Sequence, residues 1–367
     1  MKRILLFATV AGVALASCVK NESESGMTAS DSKISFEAPV VGTTTRAQVG
    51  EIGDVYPIEE SFKVWGWYHE GDYTTFEDQD NGWKNYMTDT DGNPVVVEYD
   101  GRSSWDSETD YYWPKTGKLT FAAYSPADAV GTYTHTDEGL QIAGFTVAAV
   151  GGAQYDLMYS DRAYNRTSST DQYTGTASHD YDGVDIVFHH ALSSIVFKVG
   201  TDTDYTNADN TFKIKNITIK NVYGAGNFNE GLTDGTTNRD PEWTPTGEAN
   251  NEYVAFSGDF TVPNDRTTFE EPVDTSTDPD AEPTDLILLP QSLNSDTPVI
   301  EIVYTYGTEA SGEIQHTVEY KLNQTDDKEW KPNKRYTYNI IFGLNKIYFE
   351  PIVEAWEDVE VTTDFEI

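Results

Sequence analysis

The stretch Phe212-Lys213-Ile214-Lys215-Asn216-Ile217-Thr218-Ile219 reads as a β-strand, because apolar and polar side chains alternate along it. Runs of the same character recur through the chain, separated by clusters of Gly, Asn, Asp and Pro. No long stretch places apolar residues at helical spacing. The pattern predicts an all-β protein built as β-sandwiches. The other predicted strands are 34–40, 62–68, 119–124, 184–188, 194–199, 286–289, 299–304 and 336–342.

The length of the chain predicts two domains. Its 367 residues exceed the usual size of a single hydrophobic core. A polar segment without apolar periodicity lies near the middle of the chain, at 200–210. We therefore expect an N-terminal β-sandwich domain at 33–200, a linker at 201–210 and a C-terminal β-sandwich domain at 211–367. Two further stretches read as long loops, 232–251 and 264–285.

The first residues have the layout of a secretory signal peptide. Lys2 and Arg3 precede an apolar run at 4–16 that is too short to span a bilayer. Leu15-Ala16-Ser17 then lead into Cys18, an order that resembles the lipobox of bacterial lipoproteins. The resemblance implies that residues 1–17 are removed and that Cys18 becomes the site of lipid attachment. Residues 18–32 are largely polar and would form a flexible tether.

The composition excludes several classes of function. The chain has 24 basic and 62 acidic residues, a formal net charge of −38 at pH 7, so its surface repels nucleic acid. Cys18 is the single cysteine, which leaves no internal disulfide. His189 and His190 are adjacent on a predicted strand and point to opposite faces, so they are unsuited to hold one metal ion. The sequence also lacks nucleophile and phosphate-binding motifs, and we expect no metal, no cofactor and no enzymatic activity.

Arg46 is the candidate for a processing event. It lies in the polar stretch Thr43-Thr44-Thr45-Arg46-Ala47, shortly after the first predicted strand. An arginine in a loose linker is accessible to a protease of trypsin-like specificity. A solvated arginine in an uncut loop is the alternative.

Several short sequence elements occur in a fixed order over nearly the whole chain after the signal peptide. They are Thr45-Arg46-Ala47, Phe62-Lys63-Val64-Trp65-Gly66, Tyr112-Trp113-Pro114, Phe121-Ala122-Ala123-Tyr124-Ser125-Pro126, Asp156-Leu157-Met158-Tyr159-Ser160, Phe188-His189-His190-Ala191-Leu192-Ser193, 217–223, Leu289-Pro290-Gln291 and 330–338. Together these elements resemble the fimbrillin family of Bacteroidetes, which comprises subunits of type V pili and related surface lipoproteins. The resemblance implies two tandem transthyretin-like antiparallel β-sandwich domains and a cell-surface location, as an outer-membrane lipoprotein or in a fimbrium.

The resemblance also implies a mechanism of assembly. Pilins of the family are cut after an arginine near the N-terminus, which removes the first strand and opens a groove that a strand of another subunit fills. Here the cut would fall between Arg46 and Ala47. The displaced strand would carry Ile34, Phe36, Ala38 and Val40. The candidate donor strand carries Val359, Val361, Phe365 and Ile367, and the alternative is that these residues form the last strand of the C-terminal domain.

The function expected from the sequence is that of a structural subunit, or an anchor or tip component, of a type V pilus that serves cell adhesion. Its partners would be other pilin subunits, through strand exchange, and the outer membrane, through lipidated Cys18. The competing hypothesis is an unpolymerised surface lipoprotein that binds glycans or host proteins. Its candidate contacts with sugars are Tyr111, Tyr112 and Trp113.

Overall fold

The computed structural model describes fourteen ranges of the chain. They are 29–37, 39–41, 54–73, 82–101, 104–136, 139–149, 154–169, 183–203, 211–231, 240–274, 285–307, 314–325, 328–343 and 347–356. Several residues singled out by the sequence lie outside these ranges, namely Cys18, Ala38, Arg46, Ala47, Val359, Val361, Phe365 and Ile367.

The described residues form an all-β structure, as predicted, with one short 3-10 helix at Leu322–Gln324. Within these ranges no helix is long and apolar enough to cross a membrane. The first strands are β1 (Ala29–Lys33), β2 (Val40–Val41), β3 (Asp54–Val55), β4 (Ser61–His69), β5 (Lys84–Met87), β6 (Val95–Tyr99), β7 (Trp105–Ser107), β8 (Tyr112–Pro114), β9 (Lys118–Ser125), β10 (Thr132–Thr136), β11 (Gly139–Thr146), β12 (Met158–Ser160) and β13 (Ala163–Arg166). The remaining strands are β14 (Val187–His190), β15 (Ser193–Thr201), β16 (Phe212–Val222), β17 (Ala225–Asn229), β18 (Glu242–Pro245), β19 (Asn251–Thr261), β20 (Leu286–Leu288), β21 (Val299–Tyr306), β22 (Ile314–Lys321), β23 (Lys334–Phe342) and β24 (Ile347–Ala355).

The strands assemble into one large sheet and several small ones. The ten-stranded sheet runs β3-β2-β14-β12-β9-β4-β6-β7, with β13 beside β9 and β5 beside β4. The four-stranded sheets run β10-β11-β17-β18, β20-β15-β23-β24 and β19-β16-β21-β22, and β1 pairs with β8. The prediction of antiparallel sheets needs a correction at two places, because β2 pairs with β14 in parallel and β15 pairs with β23 in parallel.

Sheets β20-β15-β23-β24 and β19-β16-β21-β22 pack face to face. Their inward side chains form one hydrophobic cluster that includes Phe197, Ile214, Ile302 and Ile340. Strand β16, which contains the alternating stretch 212–219, lies inside its sheet and pairs with β19 and β21. Its alternation is not regular, because a register shift between Ile214 and Asn216 changes which residues face the core. Such a bulge keeps Ile214 and Ile217 on the buried face although three positions separate them.

Strand β4, in the middle of the ten-stranded sheet, is buried on both of its faces. Along β4, Phe62 and Val64 point into one hydrophobic cluster, and Trp65 and Trp67 point into another. The second cluster is shared with sheet β10-β11-β17-β18, which lies against this face. A strand that is buried on both faces carries few polar residues, which explains the imperfect alternation of 62–68 in the sequence.

Strand pairing crosses the domain boundary that we predict at 201–210. Strand β15 precedes this segment, yet it pairs with β23 along its whole length, from Ser193–Lys334 to Thr201–Phe342. Strand β11 likewise pairs with β17. A polar stretch of this kind can connect two strands or link two domains, and its composition alone does not distinguish the two. The predicted loop at 232–251 also contains strand β18.

Candidate functional site

The N-terminal segment, residues 29–41 with 29–37 and 39–41 described, is hydrogen-bonded along two edges. On one side, the amide of Ile34 donates to the carbonyl of Tyr111 at 2.8 Å. Phe36 and Trp105 then exchange two backbone hydrogen bonds, at 2.9 and 3.1 Å. Farther toward the N-terminus, β1 pairs with β8. This side of the segment is therefore bonded to the β7–β8 region.

The opposite side of the segment is bonded to the stretch that leads into β14. The amide of Val184 donates to the carbonyl of Ser35 at 2.9 Å, and the amide of Glu37 donates to the carbonyl of Val184 at 3.1 Å. Farther on, the amide of Val40 donates to the carbonyl of Ile186 at 3.2 Å. The N-terminal segment thus has backbone partners on both of its edges.

These contacts join the two ends of the large sheet. Strand β7 is the last strand in the order of that sheet, and Val184 lies three residues before β14, which is third from its other end. Phe36 bridges Trp105 in the antiparallel sense and Val184 in the parallel sense. Without the segment, backbone N–H and C=O groups on both neighbours would lose their partners, which is costly in a buried site.

The segment also supplies side chains to the core. Ile34 and Phe36 are fully buried. The ring of Phe36 meets those of Phe62 and Phe121 edge to face, with centroids 5.7 and 5.6 Å apart. Removal of the segment would therefore open an apolar pocket as well as an unpaired sheet.

The predicted alternation of the displaced strand is wrong at Val40. That side chain is only half-buried, whereas Val41 is 9% exposed and belongs to the core cluster. Ser35 is also buried, between Ile34 and Phe36. Residues 34–37 are hydrogen-bonded to both neighbours without forming a regular strand, so the alternation of the sequence is not a guide to burial here.

Gly183 allows the segment to pass close to the stretch before β14. A Cβ atom at this position would lie 2.6 Å from the amide nitrogen of Glu37 and 2.6 Å from the carbonyl carbon of Phe36. Both are backbone atoms, which cannot move aside as a flexible side chain can. The position therefore requires glycine because two backbones approach closely.

An ion pair holds the polar end of the segment. The ammonium of Lys33 lies 2.8 Å from Oδ1 of Asp110 and 3.2 Å from Oδ2 of Asp106. Partial burial lowers the pKa of Lys33, but its hydrogen bonds and charge interactions with Asp110 and Asp106 outweigh burial and leave that pKa raised. The side chain therefore remains cationic across the physiological range of pH.

The sequence profile of the family described as Fimbrillin-like matches residues 45–356. The chain belongs to the fimbrillin-like family. A search among curated proteins found no match.

Solved structures share the fold of this fimbrillin-like protein. A fimbrial protein from Bacteroides vulgatus ATCC 8482 matches with a TM-score of 0.56 and 15% sequence identity, over 89% of this chain and 100% of the other. A candidate cell adhesion protein from Bacteroides uniformis ATCC 8492 matches with a TM-score of 0.51 and 17% identity, over 89% of this chain and 98% of the other. At these identities the likeness concerns the fold alone.

The two adjacent histidines of the fimbrillin-like chain serve different contacts. Nε2 of His189 lies 3.0 Å from Oδ1 of Asp161, and Nδ1 of His190 lies 2.8 Å from Oδ1 of Asp156. Each ring therefore has its own carboxylate partner. Across the part of the chain that the structure describes, no group of three or more potential metal ligands converges.

The candidate sugar contacts do not form one exposed aromatic surface in the fimbrillin-like fold. Trp113 is fully buried and packs on Phe121, with ring centroids 6.1 Å apart. Tyr111 is half-buried, and its hydroxyl donates to the carbonyl of Thr88 at 3.0 Å. Only Tyr112 is exposed, at 39%. A buried Trp113 cannot stack on a sugar ring.

The contacts of Lys33 and Trp356 in this fimbrillin-like protein are not indicated by its sequence. Trp356 follows the edge strand β24, and its ring stacks on His190 with centroids 3.9 Å apart and planes inclined by 8°. The stack anchors the chain directly after β24. A single lysine or tryptophan carries no periodic signal, so neither contact is readable from the sequence.

Proposed function

We propose that this protein is a subunit or an anchor or tip component of a type V pilus, assembled by proteolysis after Arg46 and by strand exchange, and that it serves cell adhesion. The observation that carries the proposal is the position of the N-terminal segment, which is hydrogen-bonded on both edges and joins the two ends of one sheet. A segment in this position can be replaced by another strand that offers the same backbone groups.

Cleavage between Arg46 and Ala47 would leave the N-terminal segment without a covalent link to the rest of the fold. Arg46 follows Val41 by five positions, close to the end of the segment. After the cut, only hydrogen bonds, apolar contacts and the Lys33 ion pair would hold the segment. Its departure would expose the apolar pockets that hold Ile34 and Phe36. It would also leave the backbone groups of Trp105 and Val184 without their hydrogen-bond partners.

The donor strand of the proposal is the stretch with Val359, Val361, Phe365 and Ile367. The edge position beside β23 is already filled by β24, so this stretch is not needed to complete that sheet. Residues 357–367 can span about 36 Å when extended, and the eight residues 34–41 span about 26 Å. The stretch is thus long enough to occupy a groove of this size on a neighbouring subunit.

Delivery to the surface would depend on Cys18. A lipid on this residue and the polar tether at 18–32 would hold the uncut chain at the outer membrane. A cut after Arg46 would release lipid, tether and N-terminal segment together. Without the cut, the lipid on Cys18 would stay attached to the protein and hold it at the membrane, as the role of an anchor component requires.

The comparisons support the proposal at the level of fold and family. The fimbrillin-like profile begins at residue 45, beside the proposed cut, and continues to residue 356, beside the end of β24. The fold is shared with a fimbrial protein and with a candidate cell adhesion protein. A role in adhesion without catalysis agrees with this family.

The experiment is a comparison of two variants in cells that export the protein. Arg46→Ala is expected to keep the protein as a lipidated monomer and to abolish higher oligomers on a gel. Lys115→Ala removes an exposed basic residue from the turn after β8 and serves as the control, with oligomers unchanged. Oligomers that persist in Arg46→Ala would contradict the proposed processing.

A further inference from the structure

The N-terminal segment carries one basic residue, and that residue lies in an acidic site. Lys33 is the single Lys or Arg in 29–41. Its ammonium contacts the carboxylates of Asp106 and Asp110. The side chain of Asp106 is only 22% exposed, so its charge is screened less than that of a fully solvated carboxylate.

The surroundings of Asp106 add negative charge to this acidic site. Glu98 lies directly opposite Asp106 in the pairing of β6 with β7. The hydroxyl of Ser104 donates to Oδ2 of Asp106 at 3.3 Å, whereas Oδ1 is buried and accepts no hydrogen bond from the described residues. When Lys33 leaves with the N-terminal segment, Asp106 and Asp110 lose the cation that they share.

The candidate donor stretch of this chain does not replace that cation. The stretch 357–367 contains five acidic residues and no Lys, Arg or His. A donor strand of this composition would bring further negative charge to Asp106 and Asp110, where like charges oppose binding. The acidic residues are Glu357, Asp358, Glu360, Asp364 and Glu366.

We infer that the groove of this subunit accepts a strand from a different polypeptide, which carries Lys or Arg directly before its buried apolar residues. The inference rests on the proposed strand exchange and specifies its partner. The entering strand would place its cation at the position of Lys33, an apolar side chain at that of Ile34 and an aromatic or large aliphatic one at that of Phe36. A small residue belongs between them, because Ser35 is buried.

The hydrogen bonds of the groove determine this register. Trp105 and Val184 offer backbone partners at fixed positions on the two sides, and a strand shifted by one residue would present the wrong face to the core. The cation therefore has one site in the complex, between Asp106 and Asp110. Charge at that position distinguishes a matching donor from the acidic tail of a second copy.

The experiment uses the full chain, cut after Arg46 and mixed with isotopically heavy peptides. One peptide copies 29–41, a second carries Lys33→Glu, and a third copies 356–367. The heavy peptide retained after gel filtration is measured by mass spectrometry. We expect the Lys33→Glu peptide and the 356–367 peptide to bind about tenfold or more weakly than the copy of 29–41, a ratio that corresponds to about 1.4 kcal/mol.

The matched protein carries Asp106→Asn with Asp110→Asn, which keeps the shape of both side chains. In this protein the ratio of binding between the 29–41 peptide and its Lys33→Glu form is expected to fall toward one. In the unaltered protein the same ratio is expected to decrease at high salt. Equal binding of the three peptides to the unaltered protein would overturn the inference but leave strand exchange intact. Failure of the 29–41 peptide to enter the cut protein would contradict strand exchange itself.

Discussion

Phe36 and Trp105 exchange both of their backbone hydrogen bonds, and this pair attaches the N-terminal segment to the free side of β7. The bond from the amide of Phe36 measures 2.9 Å and the bond from the amide of Trp105 measures 3.1 Å. Because Phe36 also bridges Val184, one residue holds the two ends of the large sheet together. Any strand that takes the place of the segment must offer the same pair of groups to Trp105.

Phe36→Ala is expected to destabilise the uncut protein by about 3–5 kcal/mol, because it removes a fully buried ring and leaves a cavity between Phe62 and Phe121. Urea unfolding measures the change. Ile58→Ala is the control, since Ile58 is 61% exposed and its loss should change stability by less than about 0.5 kcal/mol. A loss below about 1 kcal/mol for Phe36→Ala would mean that the N-terminal segment is not part of the core.

Gly183→Ala is expected to loosen the N-terminal segment, because the added Cβ would lie 2.6 Å from backbone atoms of Phe36 and Glu37. Hydrogen exchange at the amides of these two residues should accelerate. Gly101→Ala is the matched control, because Gly101 has a φ of +77° and no atom within 4 Å of its added Cβ. Unchanged exchange in Gly183→Ala would show that the close approach is not essential.

The sequence predicts where the strands lie better than it predicts which strands pair and in which register. Runs such as 336–342 and 299–304 lie inside β23 and β21, because alternation over several residues reflects a half-buried strand. The sequence does not predict which residues of β16 face the core, since the register shift between Ile214 and Asn216 depends on the paired strands and not on local composition.

The candidate site was predictable only in part. Ile34 and Phe36 are buried as the alternation indicates, but farther along the segment Val41 is buried and Val40 is only half-buried, which the alternation does not indicate. The contacts of Lys33 with Asp106 and Asp110 join residues more than 70 positions apart in the sequence. Long-range charge pairs of this kind leave no local pattern in a chain with 62 acidic residues.

Arg162→Ala is expected to destabilise the protein by about 3–5 kcal/mol, because it leaves the carboxylate of Glu230 buried without its cation. The two side chains form a double ion pair at 3.1 Å, and the amide of Leu140 also donates to Glu230 at 2.7 Å. Lys220→Ala, which removes a surface pair with Glu301, should change stability by less than about 1 kcal/mol. Chemical denaturation at pH 7 compares the two variants.

The pH dependence of Arg162→Ala provides a second check. Burial raises the pKa of Glu230, although Arg162 and the amide of Leu140 oppose this increase. Without Arg162 the pKa rises further, so the folded state holds a proton that the unfolded state has released. The stability of the variant should therefore fall as pH rises above about 4.5, the ordinary pKa of glutamic acid, and recover on acidification. If the difference in the free energy of unfolding between Arg162→Ala and the unaltered protein does not change with pH, this explanation is contradicted.

His135 is expected to make the protein less stable in mild acid. Burial, with a smaller effect from Arg162, lowers the pKa of its ring well below the usual value of 6.5. Below that pH the unfolded state binds a proton that the folded state does not, and the free energy of unfolding falls by up to about 1.4 kcal/mol per pH unit. The decrease in the free energy of unfolding between pH 6.5 and 5 should be smaller in His135→Gln than in the unaltered protein. His316→Gln removes an exposed histidine and should show the same decrease as the unaltered protein.

The N-terminal residue of the protein taken from assembled surface fibres tests the central claim most directly. Intact-mass and N-terminal peptide analysis identify it in the same sample that shows a ladder of oligomers on a gel. Subunits in the ladder are expected to begin at Ala47 and to lack 1–46. Subunits in the ladder that retain a lipidated Cys18 and an intact bond after Arg46 would contradict it.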